Sequence, residues 1–356
     1  VTSSTERQTA LRHFVQSALQ RTDIELSSAS ADASFRSYWR VASGAMAPHA
    51  EATLVVMDAP PGKEDLGPWL DIDSRLRQAG LHAPEILAVD RDRGFVLMED
   101  LGTRTYLPEL TVQSVDTLYA DAFDALLRMQ TSVDVADLPD YGRQRLVDEM
   151  ELMPAWFLER HLDHPVSSGE QDVIATAFSA LADAAAEQPR AFVHRDFHSR
   201  NLLIAEHQGA DADSHMLVNP AIVDFQDAVV GPITYDLVSL LRDCYIEWDP
   251  KRVAGWVEAY RIRLRAAHLL GPEVGEAQMA RWFDLIGLQR HIKVLGIFCR
   301  LWYRDGKVQY LKDLPLVWRY TISVAQRYPE TGELADLLER ALGDSDISTP
   351  RVVAAG

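Results

Sequence analysis

Between Ala191 and Asp227 the chain twice runs a short apolar segment into a turn that carries a carboxylate. The first is Val193-His194-Arg195-Asp196-Phe197-His198-Ser199-Arg200-Asn201-Leu202-Leu203, and the second is Ile222-Val223-Asp224-Phe225-Gln226-Asp227. Ala191-Phe192-Val193 is apolar enough to be buried before the first turn, and Leu202-Leu203-Ile204 after it. His194 to Asn201 is therefore read as a rigid loop between buried anchors. Asn201 follows Asp196 by five residues, and Asp224 follows it by 28.

These residue types in this order suit phosphoryl transfer. A hydroxyl is a poor nucleophile and must lose its proton as the phosphoryl group arrives, which a carboxylate such as Asp196 can accept. Asn201 offers an amide oxygen and Asp224 a carboxylate, both hard ligands. Mg²⁺ takes few protein oxygens and completes its shell with phosphates and water. Gln226 and Asp227 stand beside them as a second metal or phosphate contact or as structural groups. His194 is read as fixing the turn. His198, two residues past Asp196, either approaches the substrate or braces the loop. Asp236, in Gly231-Pro232-Ile233-Thr234-Tyr235-Asp236-Leu237, opens a helix, where a carboxylate accepts N–H groups; its role is to brace the catalytic loop.

The rest of the chain divides in two. Residues 5–20 form an amphipathic pattern with Leu11, Phe14, Val15, Ala18 and Leu19 on one face. Leu26 to Ser34 is small and polar and reads as a loop. Strands are expected at Phe35–Val41 and Thr53–Met57, a helix from Pro68 to Ala79, and a hairpin of Ile86–Val89 with Phe95–Met98. Glu99-Asp100-Leu101-Gly102 is a polar break. From Thr111 the pattern is helical, at 111–130, 143–162, 169–187, 235–246, 250–268, 277–303, 308–328 and 331–341. Extended breaks fall only at 191–193, 202–204 and 217–223, and His207–Ser214 reads as a hairpin turn. The expected boundary is 101/102. The fold class is α+β, with a small antiparallel-sheet lobe followed by a larger, mainly helical one.

A net charge of −18 argues against a nucleic-acid or anionic-membrane partner, which would call for a basic face. Cys244 and Cys299 sit in apolar helical contexts without metal-ligand spacing and read as buried thiols of a reducing compartment. The first residues lack the order of a signal peptide, and no apolar run spans a membrane. A cytoplasmic protein, monomeric or weakly oligomeric, is expected.

His-x-Asp-x-x-x-x-Asn, then Asp-Phe-x-Asp, then Gly-Pro-x-x-Tyr-Asp-Leu resembles the aminoglycoside phosphotransferase and choline kinase-like superfamily. The resemblance covers nearly the whole chain. It implies a two-lobed protein-kinase-like fold, with residues 1–101 binding nucleotide and 102–356 carrying the catalytic loop, metal site and sugar pocket. Residues 224–243 and Val-Met-Asp-Ala-Pro-Pro (56–61) look like the bacterial branch that phosphorylates N-acetylmuramate and N-acetylglucosamine at the C1 hydroxyl in peptidoglycan recycling. By the same resemblance the cofactors are ATP and Mg²⁺. Asp196 matches the base, Asn201 and Asp224 the metal ligands, and Glu99, Asp100 and Leu101 the adenine hinge. Ala31 to Phe35 matches the phosphate-covering loop, with Ala33, Ser34 and Phe35 as its nucleotide contacts.

The chain departs from the pattern twice. That loop has no glycine, so close backbone approach to phosphate is harder. Met57 stands where the strand lysine of kinases is expected. Lys63, the only lysine before Lys251, or Arg36 or Arg40, would have to supply the charge, or the site does without it. Asp71 and Asp73 are candidates for the carboxylate of the following helix. Trp156, Arg242, Arg300 and Tyr303 are candidates for the sugar pocket. Two other readings stand beside this one: a phosphotransferase for an aminoglycoside or amino alcohol, and a nucleotide-binding regulator with degenerate catalysis.

Overall fold

In the computed structural model the described residues are 4–31, 35–42, 53–205 and 219–350. By internal packing the chain separates into two compact units, residues 1–125 with 200–227, and residues 126–199 with 228–356. Packing thus places 102–125 and 200–227 with the first unit, whereas 101/102 is where the sequence pattern turns from strands to helices.

The first unit is built on a five-stranded antiparallel sheet in the order β1-β2-β3-β5-β4. The strands are β1 (Ser27–Ala31), β2 (Ser37–Ala42), β3 (Thr53–Asp58), β4 (Ile86–Asp90) and β5 (Phe95–Glu99). Side chains alternate across a strand. Leu54 and Val56 of β3 therefore pack with Phe95 and Leu97 of β5 against Leu11, Phe14, Val15 and Leu19 of α1 (Ser4–Leu19). That is the face of α1 expected from its periodicity. Each such side chain taken from water contributes about 1.5–3 kcal/mol. Thr53, Val55 and Met57 are left for the opposite face.

α2 (Leu66–Gln78) begins where Asp65 accepts the Gly67 N–H at 2.8 Å. It ends at Ala79, followed by Gly80 with φ +76°. The β4–β5 turn closes on Gly94, with φ +74°. A Cβ there would stand 1.9 Å from the Ala59 carbonyl oxygen, so only glycine fits. After β5 come the short α3 (Tyr106–Glu109) and α4 (Val115–Ser132).

β1 corrects the sequence reading, which made Leu26–Ser34 a loop. Serine and alanine carry little strand preference, but the ladder with β2 pairs Ser27 with Arg40 and Ala31 with Ser37, so a partner strand supplies what the side chains do not.

The second unit is helical and organised on α9 (Glu276–Tyr303), buried on nearly every side from Met279 to Cys299, with Asp284, Gln289, Arg290, His291 and Lys293 among its buried residues. Around it lie α5 (Arg143–Met150), α6 (Ser168–Ala186), α7 (Tyr235–Leu241), α8 (Pro250–Ala266), α10 (Leu314–Ala325) and α11 (Pro329–Leu342).

Three further expectations are corrected. The single helix at 143–162 is α5 followed by a wide π-type turn, Met153–His161, marked by Leu162 N–H donating to the Phe157 carbonyl at 2.9 Å. Pro154 has no N–H for the regular helical ladder, and α9 approaches so closely that a Cβ on Gly296 would lie 2.4 Å from the Leu152 carbonyl carbon. The helix expected at 235–246 stops at Leu241. A strand missing from the sequence reading, β9 (Val229–Pro232), pairs with β6 (Arg190–Val193).

In the first unit, β7 (Leu202–Leu203) pairs with β8 (Ala221–Ile222). The two ladders follow the apolar anchors on which the sequence argument rested. The expected hairpin turn at 207–214 lies outside the described residues.

Candidate active site

The candidate catalytic loop, in the second unit, leaves β6 at Val193 and turns at once. Arg195 has φ +78°, a conformation that costs a non-glycine residue energy and persists only when its surroundings impose it. The imposing group is Asp236, fully buried in the first turn of α7. Its Oδ2 accepts the His194 N–H at 2.7 Å and its Oδ1 the Arg195 N–H at 3.0 Å. Asp236 thus ties two N–H groups of the loop. The Asp196 N–H donates to His194 Nδ1 at 3.3 Å, and the His194 ring packs edge-on to Phe197.

The Arg195 guanidinium pairs with Glu149 and lies over the Tyr141 ring. Glu149 also takes the Lys293 ammonium at 3.0 Å and the Tyr141 hydroxyl. Further along the loop, Asp243 Oδ2 accepts the Ser199 N–H at 3.0 Å and its hydroxyl, while Oδ1 accepts the Tyr245 N–H at 3.1 Å. The His198 ring stands 5.5 Å from Tyr245, edge to face.

Burial raises the pKa of Asp196, but His198, Lys293, Arg290 and His194 outweigh it, and the carboxyl is held below its ordinary value. The cost of burial and the nearby Asp196 charge push Asp236 the other way, up to about 7, despite its two N–H donors. The two carboxyls are thereby separated, with Asp196 ionised at neutral pH.

The chain passes from the second unit to the first between Ser199 and Arg200. There Asn201 Nδ2 donates to Asp224 Oδ2 at 3.2 Å, and Gln226 Nε2 donates to Asp224 Oδ1 at 2.9 Å. Asp224 has φ +63°, another conformation that its surroundings must hold. The donor set fits Mg²⁺, with one carboxylate and one amide and room for phosphate oxygens. Gln226 Oε1, buried and without a partner among the described residues, adds a third oxygen. No cluster of three or more His, Cys, Asp or Glu side chains able to hold a metal occurs among the described residues.

A cavity of about 540 Å³ in the first unit is lined by Val55, Met98, Leu101, Leu203, Phe225 and Asn201 among others, and Glu99, Asp100 and Asp224 also reach it. This size and mixed lining suit a small ligand with an apolar ring and a charged end. Phe225 packs on Trp69 at 5.3 Å. Asp100 accepts from Arg40 Nη2 at 3.0 Å and from Thr53 at 2.6 Å, and Glu99 faces His82 at 3.1 Å. A second cavity, about 530 Å³, opens at the β3–α2 connection but reaches neither Asn201 nor Asp224.

Met57 is buried on the pocket face of β3, opposite Tyr38 and Val96. The three replacement cations are each engaged. Arg40 is on Asp100, Arg36 Nη2 is 3.0 Å from Glu64, and the Lys63 ammonium sits 4.5 Å over the Phe35 ring. Of the helix carboxylates, Asp71 is paired with Arg75 and Asp73 is buried. The Phe35 N–H donates to Glu64 at 3.1 Å, and its ring is exposed. Ala33 and Ser34 lie outside the described residues.

The sugar-pocket candidates all belong to the second unit. Arg242 Nη2 is 2.6 Å from buried Asp284, which also binds Arg327 and Tyr328, and this ion pair gives Arg242 a structural place. The Tyr303 hydroxyl is 3.1 Å from His161 Nδ1, under the Arg160 guanidinium. Trp156 packs on the helical core. Arg300 is half-buried, and its Nε has no partner among the described residues.

Glu149, Asp243, Tyr245, Arg290 and Lys293 escaped the sequence reading, because each meets the loop from a distant stretch. One sign was available: Arg290 and Lys293 interrupt an otherwise apolar helix, and buried cations need partners.

A sheet covered by one helix, a mainly helical unit, and an ordered Asp-Asn-Asp set on two short ladders define a phosphotransferase of the protein-kinase-like fold. The chain belongs to the phosphotransferase enzyme family, whose model matches residues 25–270. It is 42% identical to N-acetylmuramate/N-acetylglucosamine kinase of Pseudomonas aeruginosa over 315 residues, 88% of each chain. It is 35% identical to the enzyme of the same name from Neisseria meningitidis serogroup B, over 97% of this chain and 98% of that one. Choline kinase from Cryptosporidium parvum superposes with a TM-score of 0.59 over 94% of this chain and 98% of that one, at 10% identity, a likeness of fold alone. No helix among the described residues is long and apolar enough to cross a membrane.

Proposed function

We propose that the protein is an ATP- and Mg²⁺-dependent kinase that phosphorylates the anomeric C1 hydroxyl of N-acetylmuramate and N-acetylglucosamine in cell-wall recycling. The observation that carries this is the 42% identity, across 88% of both chains, to a kinase named for those two sugars.

Asp196, held ionised by the surrounding cations, orients the C1 hydroxyl and takes its proton as the phosphoryl group leaves ATP. An anomeric hydroxyl is more acidic than an ordinary alcohol, so little basicity is required. Asn201 and Asp224, with Gln226 beside them, would hold Mg²⁺, which when bound neutralises phosphate charge. Residues 1–101 bind the nucleotide, with the Glu99–Leu101 backbone toward the adenine. Residues 102–356 supply the loop, the metal ligands and the sugar pocket. His194 and Asp236 hold the loop in shape. The protein works in the cytoplasm, a reading with which its two buried free thiols agree, and does so as a monomer or weak oligomer.

The test is ADP release with a panel of N-acetylmuramate, N-acetylglucosamine, kanamycin and choline. Turnover confined to the two sugars is expected. Turnover of kanamycin or choline instead would move the protein to another branch of the family. ATP binding without turnover of any acceptor would make it a regulator.

A further inference from the structure

Helix α9 carries a line of cations on one side. At 3.6 residues per turn, Arg290, Lys293, Ile297, Arg300 and Arg304, the residue that caps the helix, fall within an arc of about 80°. Their exposure rises steadily along it. Arg290 and Lys293 are 4% and 8% exposed, Ile297 and Arg300 are half-buried, and Arg304 is exposed. The two buried cations act on the Asp196 carboxylate. This side of α9 therefore starts at the base and opens toward solvent, as the floor of an acceptor cleft would.

One flank of that floor is aromatic. Phe298 stacks on Tyr245 at 6.5 Å, and Tyr245 meets the His198 ring. Through Asp243, Tyr245 and Ser199 share one anchor, so this wall is fixed to the catalytic loop.

Two of the cations along the line make close ion pairs. Lys293 is on Glu149, and Arg304 takes both oxygens of Asp305, at 2.7 and 2.9 Å. The Nε of Arg300 is buried and has no partner among the described residues. The Asp305 charge acts on this guanidinium but is held by Arg304, so the buried Nε is left to take an acceptor from a ligand, and a guanidinium fork matches a carboxylate. Arg300 lies about 10 Å along the helix from Lys293, at 1.5 Å per residue, the scale of one sugar ring with its substituents.

We propose that Arg300 is the specificity-determining residue that binds the lactyl carboxylate of N-acetylmuramate, with the acceptor ring lying along α9 against Tyr245. This rests on the sugar-kinase reading above. N-acetylglucosamine has a hydroxyl where N-acetylmuramate has the lactyl ether, so it reaches the base without using this contact.

The experiment compares kcat/KM for the two sugars in the unmodified protein, Arg300→Met and Arg300→Lys, with melting curves for all three. For Arg300→Met, N-acetylmuramate should lose roughly 10- to 100-fold, the worth of one charge-assisted hydrogen-bonded pair, chiefly through KM. N-acetylglucosamine should be little changed, and Arg300→Lys should recover part of the loss. Equal losses on both sugars, or none on N-acetylmuramate, would overturn the role of Arg300 and leave the kinase reading intact. If Arg300→Met does not fold, the same discrimination is read from Arg300→Lys. Failure of the unmodified protein to turn over either sugar would overturn the kinase reading and this assignment with it.

Discussion

Asp196 and Asp236 show how one loop gives two carboxyls opposite duties. Asp196 is surrounded by cations and stays charged, while Asp236 accepts two backbone N–H groups and is pushed up in pKa by its burial. Asp196→Asn keeps the shape and removes the proton acceptor. Turnover should fall to background while ATP still binds by calorimetry, and either near-normal turnover or lost ATP binding would sink that role. Asp236→Asn can accept with only one oxygen and turns an NH₂ group toward a backbone N–H. It should cost about 1–3 kcal/mol in chemical denaturation and lower kcat more than it raises KM for either substrate. The turn that carries Asp196 and the pairing of Asn201 with Asp224 were legible in the sequence because motif spacing is local. Lys293 and Glu149 were not, since the contacts that give them meaning join residues 144 and 46 positions apart.

Among the elements, α2 carries a test of pH dependence. Asp73 is 1% exposed and its Oδ1 has no partner among the described residues. Burial first, then Glu99 against the opposing Arg77, raises its pKa to about 7 from an ordinary 3.8. The unfolded chain gives up this proton near 3.8 and the folded one near 7. Stability from the group is therefore full below 3.8 and lost as pH rises through 7. Asp73→Asn cannot ionise, so it should raise the melting temperature more at pH 8 than at pH 5. An equal shift at both values would contradict this.

On α9, Gly296→Ala forces a Cβ to within 2.4 Å of the Leu152 backbone. It should cost about 1–3 kcal/mol or more, read in urea melts. Helices and strands of the sheet were legible from periodicity because apolar faces repeat along them. The π-type turn after α5 and strand β1 were not, since close helix packing and a pairing partner override local preference there.

At the scale of the whole molecule, phosphoryl transfer was legible in the order of Asp196, Asn201 and Asp224, and family membership now supports it. Less legible was what would grip the nucleotide: Met57 stands where the resemblance expects a lysine, and Arg36, Arg40 and Lys63 already have partners. Such substitutions are settled by side-chain packing, which spacing does not encode. ATP with Mg²⁺ at 100 times its Kd should stabilise the fold by about 2.7 kcal/mol. In thermal shift assays Asp224→Asn should lose most of the Mg²⁺-dependent part and Asp196→Asn should keep it. Phosphorus NMR of the purified protein incubated with ATP, Mg²⁺ and N-acetylmuramate bears most directly on the proposed reaction. A new phosphomonoester signal coupled to the anomeric H1 is expected, with matching loss of the ATP γ-phosphate. Phosphate on any other hydroxyl, or ATP left unchanged, would contradict it.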